Sequence, residues 1–368
     1  MTAHPSPPTE RLAPDTGGRR AWLAPGLVVF PIVSALLVVV SVAGVAIGST
    51  AVAWEVVVRV IAANVLPSGW IEVGSLSDAD QAIVWLIRTP RVIVAGLVGA
   101  ALAVAGTQLQ GVFRNPLAES SIIGVSQGAA LGAVTAFITG LTAASALWLP
   151  LAAFVGAFLA LFAVYSIASR SGRAPVATLL LAGIALGAMI TACSSLLISL
   201  SFVDWQIAGE IVFWLMGGLD SRTWTHVLIC APFVALGLLV AFWYSRDLDL
   251  LLLGEESASA LGVDVEPVRR AVLVAAALLT AAAVSVSGVV GFVGLVVPHA
   301  LRLVLGPSHR RLLAASVVTG AAFVIACDLL ARTANPPSEI RLGIVTAAFG
   351  APFFLYLLRQ RRKEIGYF

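Results

Sequence analysis

Residues 120–169 read SSIIGVSQGAALGAVTAFITGLTAASALWLPLAAFVGAFLALFAVYSIAS, and none of these 50 residues is charged. A helix that crosses a lipid bilayer needs about 20 predominantly apolar residues. The stretch is therefore long enough for two crossings, with a break near Gly140 and Pro150. This pattern predicts a pair of membrane-spanning helices and decides the fold class.

The composition of the whole chain agrees with that prediction. Of its 368 residues, 60% are hydrophobic and 11% are charged, and the mean hydropathy is +1.00. A soluble domain averages roughly 25% charged residues and could not bury so much apolar side chain, because its surface does not shrink to match. We therefore expect an all-α polytopic membrane protein.

Other uncharged stretches predict the remaining spans. Residues 271–301 comprise 31 uncharged residues, which is long for one crossing, and a turn at Ser285–Gly288 would divide them into two short ones. Further spans are predicted by the same criterion at 26–49, 92–113, 175–203, 223–245, 312–331 and 342–358. The total is about ten transmembrane helices, in a single transmembrane domain over residues 25–362.

The placement of basic residues predicts the orientation of these spans. Both termini carry basic clusters, which the positive-inside rule assigns to the cytoplasm, and an even number of spans is then required. On the ten-span topology, 16 of the 22 basic residues lie on the cytoplasmic side. Residues 1–24 are predicted to be a disordered cytoplasmic tail, and residues 363–368 a cytoplasmic C-terminal tail.

A weak internal duplication is visible at the start of two spans. Arg91-Val-Ile-Val-Ala and Arg270-Ala-Val-Leu-Val-Ala each open the second span of a five-span half. Because five is an odd number, the two halves would have opposite orientations in the membrane. The sequence therefore predicts two inverted five-helix halves, an arrangement found in transporters.

The longest predicted cytoplasmic loop is residues 246–270, RDLDLLLLGEESASALGVDVEPVRR. Leu250, Leu253 and Leu261 fall on one face at helical spacing, and an apolar stripe outside the membrane must cover something. The loop could fold back on the membrane, but its six acidic residues argue against contact with anionic lipid. A protein partner is favoured.

The residue types exclude several kinds of chemistry. Lys363 is the only lysine, so the chain has no phosphate-binding P-loop, whose motif needs a lysine after its glycines. Nucleotide hydrolysis would have to come from a partner. Three cysteines and four histidines are scattered without metal-ligand spacing, and we predict no metal site, no catalytic residues and no nucleic-acid partner.

Asp328 is the only carboxylate inside a predicted span, which makes it a functional candidate by default. Arg332 follows one helical turn later and would form a structural ion pair with it. The other possibility is a proton relay, which would make the chain an ion-coupled secondary transporter.

Several long motifs, in order, resemble the permeases of type II ATP-binding-cassette importers, the FecCD/BtuCD-like family that takes up iron–siderophore complexes, haem and cobalamin. They include LLLLGEESASALGVDVEPVR at 250–269, RTPRVIVAGLVGAALAVAGTQLQGVFRNPLAESSIIGVSQGAALGA at 88–133, GFVGLVVPHALRLVLGPSHRRLL at 291–313 and GIVTAAFGAPFFLYLLRQRR at 343–362. The resemblance runs from about residue 25 to the end.

The resemblance implies a role for several regions of this sequence. Such permeases pair as homo- or heterodimers around a central path, lined here by the fifth and tenth spans, 176–200 and 342–358. Two cytoplasmic ATPase subunits, which hold ATP and Mg²⁺, dock on loop 246–270. The residues implied in coupling to the ATPase are Leu253, Gly254, Glu255 and Glu256.

An extracytoplasmic substrate-binding protein docks on the outer face of such permeases. The resemblance implies docking by Arg88, Arg91 and Arg332, since paired arginine–carboxylate contacts give orientation as well as attraction. The alternative is that Arg88 and Arg91 only anchor the second span at the headgroups. The family has an acid and an arginine spaced like Asp328 and Arg332, which favours the structural pair over the proton relay.

The expected function is thus the permease subunit of an ATP-driven importer in the bacterial cytoplasmic membrane. The substrate would be an iron(III)–siderophore, or a haem- or cobalamin-type chelate, and the chain itself would hold no cofactor. Two departures from the family pattern are visible: Glu339-Ile-Arg341 stands where many relatives have Glu-Leu-Pro, and Val176 and Ala177 replace small hydroxyl residues at the fifth span.

Overall fold

The structure is a computed structural model that describes residues 23–365 except 49, 51, 68–76, 146, 170–173, 202–204 and 337. The predicted disordered tail lies outside the described residues, apart from its last two positions, which already belong to the first helix. No strand occurs in the described part of the chain, in agreement with the all-α prediction.

Fifteen helices make up this part of the chain. In order they are α1 Leu23–Ala46, α2 Trp54–Val65, α3 Asp78–Val112, α4 Val125–Ile138, α5 Leu141–Ala144, α6 Trp148–Ala168, α7 Val176–Ser201, α8 Trp205–Leu215, α9 Trp224–Trp243, α10 Ser245–Leu251, α11 Glu255–Ala260, α12 Val265–Ser287, α13 Val293–Leu305, α14 His309–Thr333 and α15 Leu342–Ile365. The last of these continues into the predicted C-terminal tail.

Seven of these helices are long and apolar enough to cross a bilayer: α1, α3, α6, α7, α9, α12 and α14. Three shorter apolar helices, α4, α13 and the stretch Leu342–Tyr356 of α15, lie where the remaining spans are predicted. The protein is therefore a multi-pass helical membrane protein. The count of ten crossings stays a prediction, because the three shorter helices fall below the length of a full span.

The centre of the bundle is formed by α3 and α12, whose residues are mostly buried. Glycines bring two further helices against α3. A Cβ on Gly99 would collide with the backbone oxygen of Gly320 in α14, and one on Gly106 with that of Gly294 in α13. Such small-residue contacts let helix backbones approach closely where no hydrophobic effect drives association in lipid.

The predicted turn in 271–301 is confirmed by the helix bounds. Helix α12 ends at Ser287, and Gly288 follows with φ 67°. A Cβ there would collide with the carbonyl oxygen of Trp214, so glycine is required both by backbone conformation and by space. Residues 288–292 are not helical, and Phe292, also left-handed with φ 67°, precedes α13.

A similar break precedes α4. Residues 113–124 form turns, and Gly124 adopts φ 76° immediately before the helix. The two non-helical segments, 113–124 and 288–292, connect a central helix to a short one in each half of the chain. Irregular backbone at membrane depth is tolerated only where protein buries it or where it lines an aqueous cavity.

Helices α2, α5 and α8 were not predicted, because each is shorter than a span. Helix α2 buries Val57 and Val60 and exposes Trp54 and Val58, and α8 follows α7 directly. Helix α3 begins earlier than expected, at Asp78, and its Ala82–Arg88 portion is π-helical. A search for uncharged windows of 20 residues does not detect such elements.

Candidate functional site

The candidate site has two parts, one at each end of the bundle. The first is the hairpin of α10 and α11, which contains the residues implied in coupling. Leu248, Leu251 and Ala258 face inwards and are buried, whereas Leu253 is 63% and Leu261 60% exposed. The hairpin thus packs on the bundle through its buried residues and leaves two of its leucines uncovered.

The hairpin turns at Gly254, which has φ 109° and lies directly before α11. A side chain would be strained in this conformation, which explains the glycine at this implied coupling position. A Cβ on Gly254 would lie 3.8 Å from the guanidinium of Arg114. The turn that joins α10 and α11 therefore lies close to the end of α3.

Glu255 and Glu256 follow Gly254 but have different surroundings. The Glu255 carboxylate lies 2.5 Å from the guanidinium of Arg269, which also pairs with Glu266 at 3.0 Å and donates to the carbonyl oxygen of Ala174 at 2.9 Å. Arg269 is 4% exposed. Both glutamates are exposed, but Glu255 fastens α11 to α12 through its ion pair with Arg269.

A second contact fixes the hairpin to α14. One oxygen of Asp249 accepts hydrogen bonds from the backbone N–H of His309 at 2.7 Å and from its Nδ1 at 2.8 Å. His309 is fully buried at the start of α14. Because α14 also packs along α3, a displacement of the hairpin would be transmitted through α14 to the core of the bundle.

The second part of the site is a cluster of ionised side chains at the opposite end. Asp328, 2% exposed, accepts hydrogen bonds from Arg91 at 2.9 Å (Nη2) and 3.1 Å (Nε). Its predicted partner Arg332 is present but more distant, with Nε 3.7 Å away. The sequence missed Arg91 as the nearer partner, because the two lie 237 residues apart along the chain.

Arg91 also binds a second carboxylate. Its Nη1 and Nη2 atoms donate to Glu339 at 3.0 and 2.8 Å. Burial alone would raise the pKa of the Glu339 carboxyl, but the hydrogen bonds from Arg91 and the positive charges of Arg91 and Arg332 outweigh it and lower the pKa to about 2. Glu339 therefore stays ionised and holds the α14–α15 loop on α3.

Arg88 and Arg332 are bound to backbone oxygens. Arg88 Nη1 donates to the carbonyls of Val45 at 3.1 Å and Ala46 at 2.7 Å, and Arg332 Nη2 donates to the carbonyl of Gly44. These carbonyls include those left without partners at the end of α1. The two arginines thus join α3 and α14 to α1.

The three arginines implied in docking are all buried, with exposed fractions of 4% for Arg88 and 9% for Arg91 and Arg332. Docking of a binding protein by them stays a prediction. Each guanidinium already has partners within the chain, so an external carboxylate would have to replace one of them.

Arg341, the departure noted in the sequence, joins the same cluster. It contacts the Asp220 carboxylate, and its guanidinium carbon lies 4.4 Å from the centre of the Phe213 ring in α8. The start of α15 is thereby connected to α8 and to the loop before α9. In the sequence, only the extra arginine itself pointed to this role. Its partners, Asp220 and Phe213, lie far from it in the sequence and become visible only in the structure.

A cavity of about 240 Å³, to which no sequence motif pointed, lies in the bundle. Its wall is mostly apolar, and it is lined by the non-helical segments 113–124 and 288–292 together with α4, α7 and Leu215 of α8. Since the resemblance implies that α7 lines a transport path, the cavity would lie beside that path.

Comparisons with known proteins give a consistent result. The sequence model of the FecCD transport family matches residues 36–360. The cobalamin import system permease protein BtuC of Halobacterium salinarum is 49% identical over 285 residues, which are 77% of this chain and 75% of that protein. The hemin transport system permease protein HmuU of Yersinia pestis is 41% identical over 290 residues, 77% of this chain and 85% of that protein.

A solved structure agrees at the level of the fold. An inward-facing conformation of a metal-chelate type ABC transporter matches with a TM-score of 0.78 and 32% identity, covering 90% of this chain and 99% of that one. The family match spans both ends of the candidate site, from Arg88 to the start of α15. This multi-pass membrane protein belongs to the FecCD transport family.

Proposed function

We propose that the chain is the transmembrane permease subunit of an ATP-driven importer for a metal chelate of the iron(III)–siderophore, haem or cobalamin type. Two permease subunits pair around a path lined by α7 and α15 and alternate between inward- and outward-open states. The α11 end faces the cytoplasm of a bacterial cell and the Asp328 end faces outwards. The relatives named above support this proposal, since one is a cobalamin and one a hemin permease protein.

The single observation that carries the proposal is the uncovered apolar face of the α10–α11 hairpin. Leu253 and Leu261 are more than half exposed on a segment that lies outside the spans. A groove on an ATPase subunit would cover these leucines and Glu256, in the way that amphipathic helices insert into hydrophobic grooves. Glu255 would act indirectly, by fixing α11 to Arg269. Gly254 would form the turn that precedes α11.

The extracytoplasmic partner fits the opposite end. We propose that a carboxylate of a substrate-binding protein approaches Arg91 and replaces Glu339, which is partly exposed at 34% of its side chain. Arg88 and Arg332 would hold α1, α3 and α14 together during this exchange. Such an exchange would release the α14–α15 loop and so bias the path-lining α15.

The alternative, an ion-coupled secondary transporter, depends on a carboxylate that takes up and releases protons. Asp328 is the candidate in the sequence, but Arg91 and Arg332 both bind it in the structure. The oxygens of this carboxylate are thus already engaged by two guanidinium groups of the bundle, which is the arrangement of a structural ion pair. This observation favours the importer.

The test is association with the ATPase. We expect Leu253→Ala to weaken co-purification of the ATPase subunits with the permease by about tenfold, since a buried leucine contributes roughly 1.5–3 kcal/mol. Leu66→Ala, at an exposed leucine outside the hairpin, serves as the matched control and should not change it. Equal loss in both variants, or in neither, would contradict docking at the hairpin.

A further inference from the structure

Helix α2 has three distinct faces along its length. At about 3.6 residues per turn, Val57 and Val60 fall on one face and are buried, where α2 packs on α1 and on the Ala82–Arg88 portion of α3. Glu55 and Arg59 fall on a second face and are exposed. The third face is apolar and is not covered by the described part of the chain.

This uncovered face consists of Trp54, Val58 and Val65, which we call the apolar stripe of α2. The three positions are separated by four and seven residues, a spacing that keeps them on one side of a helix. All three side chains are more than half exposed. An apolar stripe on a helix that also has a separate charged face is typical of a helix that lies in the membrane–water interface.

The linker before α2 places the stripe close to the end of a membrane span. Arg88 donates hydrogen bonds to backbone oxygens at the end of α1 and to that of Thr50 in the linker. Thr50 precedes Trp54 by four residues, and an extended chain spans at most about 3.6 Å per residue, so that α2 begins within about 15 Å of Thr50. Since α1 is long and apolar enough to cross a bilayer, α2 lies at the level where that crossing ends.

Lipid-facing surface continues on both sides of the stripe. Most apolar side chains of α1 are exposed, among them Val39 and Val42. Leu86 and Ile87, in the π-helical portion of α3 on which α2 packs, are also exposed. Exposed apolar side chains on a membrane-spanning helix are in contact with acyl chains. The stripe is continuous with this surface, and the same bilayer accounts for its exposure.

Tryptophans mark the same level of the bundle. Trp148, Trp205 and Trp224 each begin a helix, namely α6, α8 and α9, and on the ten-span topology these starts lie at the same end as Trp54. The Trp224 ring lies against that of Trp85 in α3, with ring centres 4.8 Å apart. Tryptophan is enriched at the boundary between acyl chains and headgroups, which is where these helix starts would lie.

We propose that α2 is an interfacial helix, whose apolar stripe inserts into the bilayer at the Asp328 end of the bundle while Glu55 and Arg59 stay in water. The one acidic and the one basic residue of α2 cancel, so insertion depends on apolar contact and not on anionic lipid. The helix fixes the linker that Arg88 holds, and with it the adjoining ends of α1 and α3, at a constant depth. This role adds to the proposed transport function and does not depend on it.

Spin labels on the full-length permease in phosphatidylcholine vesicles test this placement. Cys193, the one exposed cysteine of the three, is first replaced by serine. Single cysteines are then introduced by Val58→Cys, Val65→Cys and, as the matched control on the charged face, Arg59→Cys. All three positions are exposed, so the labels leave the packing of α2 intact. Collision of each label with oxygen, which concentrates in the bilayer, is compared with its collision with a water-soluble nickel chelate.

We expect the labels at positions 58 and 65 to collide mainly with oxygen and to lie about 5–10 Å into the boundary between headgroups and acyl chains. The label at position 59 should collide mainly with the nickel chelate. Equal nickel access at all three positions would overturn the proposal, because the stripe would then face water. Exclusion of both reagents at 58 and 65 would also overturn it, since protein, such as a second copy of the chain, would cover the stripe. Nickel access there that is lost when a substrate-binding protein is added would assign the stripe to that partner instead.

Discussion

Asp328 is buried at the outer end of the bundle and forms ion pairs with two guanidinium groups, those of Arg91 and Arg332. Removal of one member of a buried pair leaves the other charge without compensation, at a cost of about 3–5 kcal/mol. We expect Asp328→Asn to lower the thermal unfolding midpoint of the solubilised protein by several degrees. Asp78→Asn, at an exposed aspartate of the same helix as Arg91, should leave it unchanged; equal midpoints for both variants would show that Asp328 does not stabilise the fold.

The lowered pKa of Glu339 predicts how the stability of the protein depends on pH. Its folded-state pKa of about 2 lies below the ordinary value of 4.5. A carboxyl whose pKa is lowered by folding stabilises the protein above its unfolded pKa and loses this contribution as the pH falls towards the folded pKa. Wild type should therefore be more stable than Glu339→Gln at pH 7, and the difference should shrink between about pH 4.5 and 2. Thermal unfolding across this range measures it, and a difference that grows with acidification would contradict the assignment.

At the scale of helices, the close crossing of α3 and α14 depends on Gly99 and Gly320. Gly99→Ala places a methyl group against backbone that cannot move aside, and overpacking of this kind costs about 1–3 kcal/mol. We expect a lower unfolding midpoint for this variant. Gly209→Ala, in α8, meets nothing within 4 Å and is the matched control; it should be neutral or slightly stabilising, because alanine favours helix.

In the hairpin of α10 and α11, the adjacent carboxylates Glu255 and Glu256 have different roles. Glu255→Gln should weaken the attachment of α11 to α12 and increase hydrogen exchange of α11, because the charge that pairs with buried Arg269 is lost. Glu256→Gln should leave hydrogen exchange unchanged and reduce affinity for the ATPase. Identical hydrogen exchange of α11 in both variants would contradict this assignment of different roles to Glu255 and Glu256.

Much of the fold could be predicted from the sequence, because long uncharged windows fix where helices can cross a membrane. The turn at Ser285–Gly288 was predicted from the length of the uncharged stretch 271–301 and from the requirement for an even number of spans. The amphipathic α2 and the extent of the non-helical segments 113–124 and 288–292 could not, since local composition does not show which irregular backbone the fold will bury.

The candidate site could be predicted only in part. Motif resemblance identified Arg91 and Glu255, and the structure adds their partners, Asp328, Glu339 and Arg269. Those partners are distant in sequence or lie on another helix, so spacing along the chain carries no signal for them. The cavity at Glu119 could not be predicted for the same reason, since five separate segments meet there.

For the whole molecule, the two ends of the bundle are connected through α14. This helix holds His309, which binds the hairpin through Asp249, and Asp328, which binds Arg91. Attachment of an ATPase at one end and of a binding protein at the other would therefore act on one continuous element. Such coupling requires that both partners bias the same two arrangements of the helices.

Uptake into vesicles distinguishes an ATP-driven importer from an ion-coupled transporter. The permease–ATPase complex is reconstituted with ATP on the hairpin side and with binding protein and labelled cyanocobalamin on the other. We expect accumulation that requires ATP and the binding protein and that persists when a protonophore collapses the proton gradient. Accumulation that continues without the ATPase subunits and disappears with the protonophore would contradict it, and would identify an ion-coupled transporter instead.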